Sequence, residues 1–164
     1  MSNKFIFDKT ITGDLKGESS WKSPSNIALV KYWGKSDIQI PKNTSISFTL
    51  NKCLTNTKLD FSKKKNNSEF VDFDIYFNEQ LKLDFKPKIQ SFFERILKYC
   101  PYILSYKFKI YTSNTFPHSS GIASSASGIS ALALCIMSLE KLINPKISDD
   151  YFYMKASFLS RLGS

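Results

Sequence analysis

Arginine, histidine and cysteine are all scarce in this sequence, and each scarcity removes a class of function. Among 164 residues the arginines are Arg95 and Arg161, and the single histidine is His118. Bidentate arginine clamps, the commonest device for reading bases and gripping phosphates, cannot be numerous. Cys53, Cys100 and Cys135 are widely spaced and never form a C-x-x-C pair. Neither a disulfide framework nor a zinc site is indicated, and a reducing, cytoplasmic compartment is the simpler expectation. A long apolar run is also missing. The longest, residues 131–137, falls far short of the roughly 20 that a membrane span requires, so neither insertion nor export is expected.

What remains is a chain long enough for one domain with its own core, 42% hydrophobic and carrying a formal net charge of +9. The excess is almost wholly lysine. It favours anionic partners without choosing among phosphorylated metabolites, nucleic acid and a membrane surface.

Strand patterns come first along the chain. Residues 21–32 are rich in apolar side chains, and residues 45–50 and 55–61 alternate, as half-buried strands do. The run Lys63-Lys64-Lys65-Asn66-Asn67-Ser68 reads as a solvated turn. Val71, Phe73, Ile75 and Phe77 alternate with polar neighbours, and residues 81–85 read as their antiparallel hairpin partner. Ile89, Phe92, Phe93, Ile96 and Leu97 share one face of a helix that Pro101 ends. Residues 105–111 return as a strand, residues 129–142 form an apolar helix stopped by Asn144-Pro145, and Ser148-Asp149-Asp150 caps a last helix with Phe152, Ala156 and Leu159 on its buried face. Strands followed by helices without regular βαβ alternation predict an α+β fold, with a mainly antiparallel sheet and helices on one face.

Two stretches point to chemistry. "FPHSSGIASSASG", residues 116–128, places poor helix formers where the apolar helix begins. A helix N-terminus with unpaired N–H groups, opening at the end of a sheet, is an anion site. Gly121 allows close backbone approach, Ala123 and Ala126 keep bulk low, and Ser119, Ser120, Ser124, Ser125 and Ser127 offer hydroxyls to phosphate oxygens or to Mg²⁺. The alternative is that small residues let helices pack closely while the serines act as caps. No Gly-Lys-Ser/Thr closes the stretch, so a phosphate-binding lysine must come from elsewhere in the chain. "PSNIALVKYWGK", residues 24–35, presents Lys31, Tyr32, Trp33 and Lys35 where a strand ends in a turn. Such donors suit a doubly charged phosphate group; the alternative is a strand with solvated lysines and a packed Trp.

Together the two stretches carry a resemblance. Pro117, Gly121, Ser124, Ser125 and Ala126 resemble the P-x-x-x-G-x-x-S-S-A nucleotide loop of the GHMP kinase superfamily, whose N-terminal domain is similar in topology to a ribosomal-protein domain. "PSNIALVKYWGK", with "PKNTSISFTL" at residues 41–50 and "SRLGS" at residues 160–164, resembles the diphosphomevalonate decarboxylases within it. The resemblance runs from about Trp21 to Ser164 and implies a GHMP-type N-terminal domain over residues 1–164 with a C-terminal domain absent. It further implies ATP-dependent decarboxylation of mevalonate 5-diphosphate to isopentenyl diphosphate, with Mg²⁺ following from the use of ATP, and a homodimer for the full enzyme.

By the same resemblance, Tyr32, Trp33, Gly34 and Lys35 contact the substrate diphosphate, joined by Ser164 from a family S-G-S-A-C-R segment. Lys31 lies near the reacting groups as a weak catalytic candidate, and Ser119, Ser120, Gly121, Ile122, Ala123, Ser124, Ser125, Ala126 and Ser127 hold ATP. Asn26 orients a neighbouring side chain, and His118 serves loop packing. The family's catalytic aspartate has no counterpart here, so no base is assigned and the chain alone is expected to be inactive. Three rivals stand beside this reading: a related enzyme acting on mevalonate or its 5-phosphate, a basic RNA-binding module, and a truncated product that associates through an uncovered apolar face. Scattered lysines and the lack of an RNP-like or GXXG module speak against RNA, and no nucleic-acid or membrane partner is expected.

Overall fold

Two long strands carry the architecture, and burial alternates along part of each. β1 (Lys16–Val30) and β4 (Ile46–Lys63) pair antiparallel along most of their length. The remaining strands are β2 (Lys35–Ser36), β3 (Ile40–Pro41), β5 (Asp72–Phe77), β6 (Gln80–Leu81) and β7 (Tyr106–Asn114). The main sheet runs β1-β4-β7-β5-β6, and β2 with β3 makes a small separate hairpin. This computed structural model describes residues 2–11, 13–37, 39–66 and 68–163; the proposed contact Ser164 lies outside them.

The helices α1 (Lys86–Ile96), α2 (Ser124–Ile143) and α3 (Asp149–Gly163) cover one face of the sheet. Leu59, Phe61, Phe73, Ile75, Phe108 and Ile110 point into this layer and are buried, while the intervening Lys58, Asp60, Asp74 and Lys109 face the other way. Phe93 of α1 packs on Phe73 and Phe108, with ring centroids 5.2 and 5.9 Å away. Each such side chain contributes about 1.5–3 kcal/mol through burial. By length and composition α2 could cross a membrane, but here its apolar surface packs against β1, β4 and α3.

The fold is α+β, with a mixed sheet that departs from the expected pattern in three places. Residues 45–50 and 55–61 belong to one continuous strand, because three residues of β4, 51–53, bulge where the register passes from Pro24↔Leu54 to Ser25↔Leu50. Pro24 has no N–H to continue the ladder, and Thr115 fills the gap by bonding to Leu54 and Lys52. Of residues 81–85, only Leu81 joins β6; Leu83–Phe85 is a 3₁₀ turn leading into α1, which Pro87 in its first turn helps to start. Finally, β5 takes most of its pairing from β7 in parallel, since α1 supplies a crossover.

α3 begins as its cap residues dictate, with Ser148 Oγ accepting the Tyr151 N–H at 3.2 Å. It ends in a tight wedge. A Cβ on Gly163 would lie 2.5 Å from Ile129 Cγ2 and 2.6 Å from Phe92 Cδ2. Gly163→Ala is therefore expected to destabilise the chain by about 1–3 kcal/mol through overpacking. An unchanged urea midpoint would contradict that packing.

One ion pair is sealed inside. Lys155 Nζ donates to Glu140 Oε2 at 2.6 Å and to the Tyr99 carbonyl at 3.0 Å, with both side chains essentially inaccessible. It ties α3 to α2 and to the turn after α1. Burial pushes the Glu140 carboxyl upward, and the Lys155 ammonium opposes that push.

Candidate functional site

The kink that Pro24 imposes on the β1–β4 ribbon brings the two sequence motifs together. Just beyond it, Ser25 is wholly buried, and its hydroxyl donates to the Ile122 carbonyl of the serine-rich loop. In that loop Ser119 (φ 62°), Gly121 (φ 81°) and Ala123 (φ 56°) are left-handed. Gly121 adopts this at no steric cost, whereas Ser119 and Ala123 each store about 1–2 kcal/mol. Alternate left-handed residues turn successive backbone N–H groups toward one side, a concavity suited to anions. Ala123 then opens α2 with no side-chain cap, so the first N–H groups of the helix meet no hydroxyl of their own.

The serines divide by position. Ser119, Ser120 and Ser125 are exposed, Ser124 is half-buried, and Ser127 is 2% exposed. The Ser127 hydroxyl lies 2.6 Å from Thr55 Oγ1 and donates to the Ser124 carbonyl at 3.0 Å. Ser127 thus faces β4 and anchors the helix to the sheet, away from the loop mouth where the sequence expectation puts it. Ile122 serves the loop through its carbonyl to Ser25, and Ala126 lies in the first turn of α2, where its N–H bonds to the Ala123 carbonyl.

The lysine that the loop itself lacks arrives from α1. Lys88 Nζ bonds to Ser125 Oγ at 2.6 Å. Burial, and then the charges of Lys35 and Arg95, lower the Lys88 ammonium from its ordinary range. Sequence reading missed Lys88, whose only signal is a polar residue in the first turn of an amphipathic helix; the fold alone aims it at the loop.

Beneath the loop lies a cavity of about 190 Å³ between the sheet, α1 and α2. Its walls are apolar, among them Phe77, Phe85 and Ile89, and Thr55, Thr112 and Asn114 add polar groups. His118 packs tilted against Phe77 and Phe85, with centroids 5.1 and 5.2 Å away, which places the imidazole in packing contact at the cavity's rim. With Asp84 and Lys88 also in its lining, the cavity suits a small, partly polar ligand.

Residues 31–37 and 39–43 form a largely exposed arm. Asn43 organises it, accepting the Trp33 N–H at 2.7 Å and donating to the Lys31 and Thr44 carbonyls at 3.3 and 2.9 Å. Lys42 closes the turn by donating its N–H to the Gly34 carbonyl at 3.0 Å. The Lys35 ammonium lies 5.5 Å from the Tyr32 ring centre, and Trp33 is 95% exposed. Lys31 is likewise exposed. Burial pushes the Cys100 and Cys135 thiols up to about 12, so these two stay protonated.

A polyphosphate fits this arrangement. Left-handed loop residues, an uncapped helix start and Lys88 converge, and a Cβ on Gly121 would meet nothing within 4 Å. Among the described residues no group of three or more His, Cys, Asp or Glu stands together. A magnesium ion would therefore be held chiefly by phosphate oxygens, water and loop hydroxyls.

Comparison with known proteins identifies relatives of the whole fold. A diphosphomevalonate decarboxylase of Gibberella zeae is 32% identical over 135 residues, covering 76% of this chain and 35% of its own length. The chain thus spans about a third of the curated relatives it matches. The crystal structure of mevalonate diphosphate decarboxylase from Staphylococcus aureus superposes with a TM-score of 0.68 at 30% identity, covering 92% of this chain and 42% of the other. A chain called MDDEF, solved in complex with MVAPP, AMPPCP and magnesium, gives a TM-score of 0.66 at 28% identity, covering 93% and 42%. Residues 23–164 match the family described as the diphosphomevalonate decarboxylase-like N-terminal domain, and the chain belongs to that family.

Proposed function

We propose that this chain carries the ATP- and diphosphate-binding machinery of a decarboxylase that converts mevalonate 5-diphosphate to isopentenyl diphosphate in the mevalonate pathway. The observation that carries the reading is the meeting of Lys88 with Ser125 at the uncapped start of α2. The relatives named as decarboxylases, and the neighbour solved with an ATP analogue and magnesium, support it.

In this reading the loop N–H groups from Ser119 to Ser125 and the Lys88 ammonium hold the triphosphate, while the cavity beneath receives the base. Tyr32, Trp33, Gly34 and Lys35 hold the substrate diphosphate, and Lys31 stands by the reacting groups. The γ-phosphoryl group passes to the tertiary hydroxyl, turning a poor leaving group into a good one; loss of phosphate and carbon dioxide then gives the alkene. Positioning and charge neutralisation are the protein's part, and bound magnesium adds screening between phosphates. Lysines on the outer sheet face also favour a small-molecule role over a nucleic-acid one. Lys58 pairs with Glu18 and Asp60 on that face, and Lys86 at the start of α1 pairs with Asp74, so part of the basic excess is neutralised locally.

The test supplies the complete gene product with ATP, Mg²⁺ and, separately, mevalonate, its 5-phosphate and its 5-diphosphate, and identifies products by mass spectrometry. Isopentenyl diphosphate is expected from the diphosphate alone. A phosphorylated product that keeps its carboxylate, or no consumption of any substrate, would overturn the reading.

A further inference from the structure

The turn between β2 and β3 is held in an unusual backbone. Asp37 (φ 46°) and Gln39 (φ 62°) are both left-handed, and neither is glycine. Such residues keep these conformations only where their surroundings over-determine them, and they cluster at ligand sites.

Here the surroundings can be traced. Arg161 Nη1, in the last turn of α3, donates to the Gln39 carbonyl at 3.3 Å. Arg95 Nη1, on α1, donates to the Leu162 carbonyl at 3.0 Å and so steadies the end of α3 that carries Arg161. From this braced backbone the Gln39 side chain returns across the hairpin, and its Oε1 accepts from Lys35 Nζ at 2.5 Å. Both arginines of the chain are thus spent on carbonyls along one path, from the helix that bears Lys88 to the side chain that holds Lys35.

We propose that Gln39 is a positioning residue, fixing the Lys35 ammonium toward the anion bound at the arm; this rests on the reading of Lys35 as a diphosphate contact. An amide suits the task for a physical reason. It fixes one N–H direction of a mobile four-carbon side chain while leaving the positive charge whole, whereas a carboxylate there would neutralise that charge and repel phosphate. Bracing through Arg161 limits the freedom that Lys35 would otherwise lose on binding.

The experiment titrates mevalonate 5-diphosphate into the complete gene product by calorimetry, comparing the wild type with Lys35→Met, Gln39→Glu and Gln39→Gly, with a urea midpoint for each. Lys35→Met and Gln39→Glu are each expected to weaken binding about tenfold or more. Gln39→Gly should weaken it about threefold while keeping the urea midpoint, because glycine adopts the left-handed turn freely. If Lys35→Met binds as the wild type does, the diphosphate reading fails and this inference with it. If Lys35→Met is weakened but both Gln39 variants bind normally, or lose affinity only in step with a fallen urea midpoint, the positioning role alone is overturned.

Discussion

Replacing Lys155 by methionine is expected to destabilise the fold by about 3–5 kcal/mol, because it strands a buried carboxylate. Lys155 gives its ammonium to Glu140 and to the Tyr99 carbonyl, and no solvent reaches either side chain. Glu140→Leu combined with Lys155→Met should recover most of the loss, since replacing a whole buried pair by apolar groups is often nearly neutral. The defect should also depend on pH. Burial already raises the Glu140 carboxyl above its ordinary value of 4.5, and losing Lys155 removes the opposing pull. A carboxyl whose folded-state pKa exceeds its unfolded value binds protons more tightly when folded, so stability falls as pH rises between the two. The variant should therefore be closest to wild type near pH 4.5 and furthest from it at pH 8. Urea denaturation at both pH values checks this; a loss below about 1 kcal/mol at pH 8 would show that the pair does not carry the load assigned to it.

Lys88→Met in the complete gene product is expected to weaken ATP binding about 10- to 100-fold, the effect of losing one hydrogen bond from a charged donor to phosphate. Lys88 is exposed, and its hydrogen bond to Ser125 lies at the surface, so folding stability should change little. Lys88→Arg should keep much of the affinity, whereas Ser125→Ala, which removes a neutral hydroxyl, should cost less than Lys88→Met. Calorimetric titration with ATP and Mg²⁺ measures all three. Unchanged ATP affinity in Lys88→Met would remove this lysine from the nucleotide site.

Much of the fold was legible because binary patterning is local. Alternation marked β5 and both halves of β4, helical spacing marked α1, and Ser148-Asp149-Asp150 marked the start of α3. The joining of the two halves of β4 was not legible, since it depends on Pro24 of another strand and on Thr115 filling the bulge. Nor was the parallel pairing of β5 with β7, because the same alternation serves either direction. The two motifs of the candidate site could be read from residue types and resemblance. Lys88 and Gln39 could not, as their meaning arises only when α1 and the β2–β3 turn are folded against the loop and against Lys35. Ser127 shows the converse. Its hydroxyl matches the chemistry of a phosphate contact, yet helical geometry turns it to Thr55.

In the proposed function, one face of this domain holds two phosphate-bearing ligands on separate lysines. Competitive lysine labelling of the complete gene product, read by mass spectrometry, tests it most directly. ATP with Mg²⁺ should shield Lys88, and mevalonate 5-diphosphate should shield Lys35, while Lys58 and Lys109 on the outer sheet face stay as reactive as in the free protein. Equal labelling of Lys88 and Lys35 with and without the two ligands would contradict the claim.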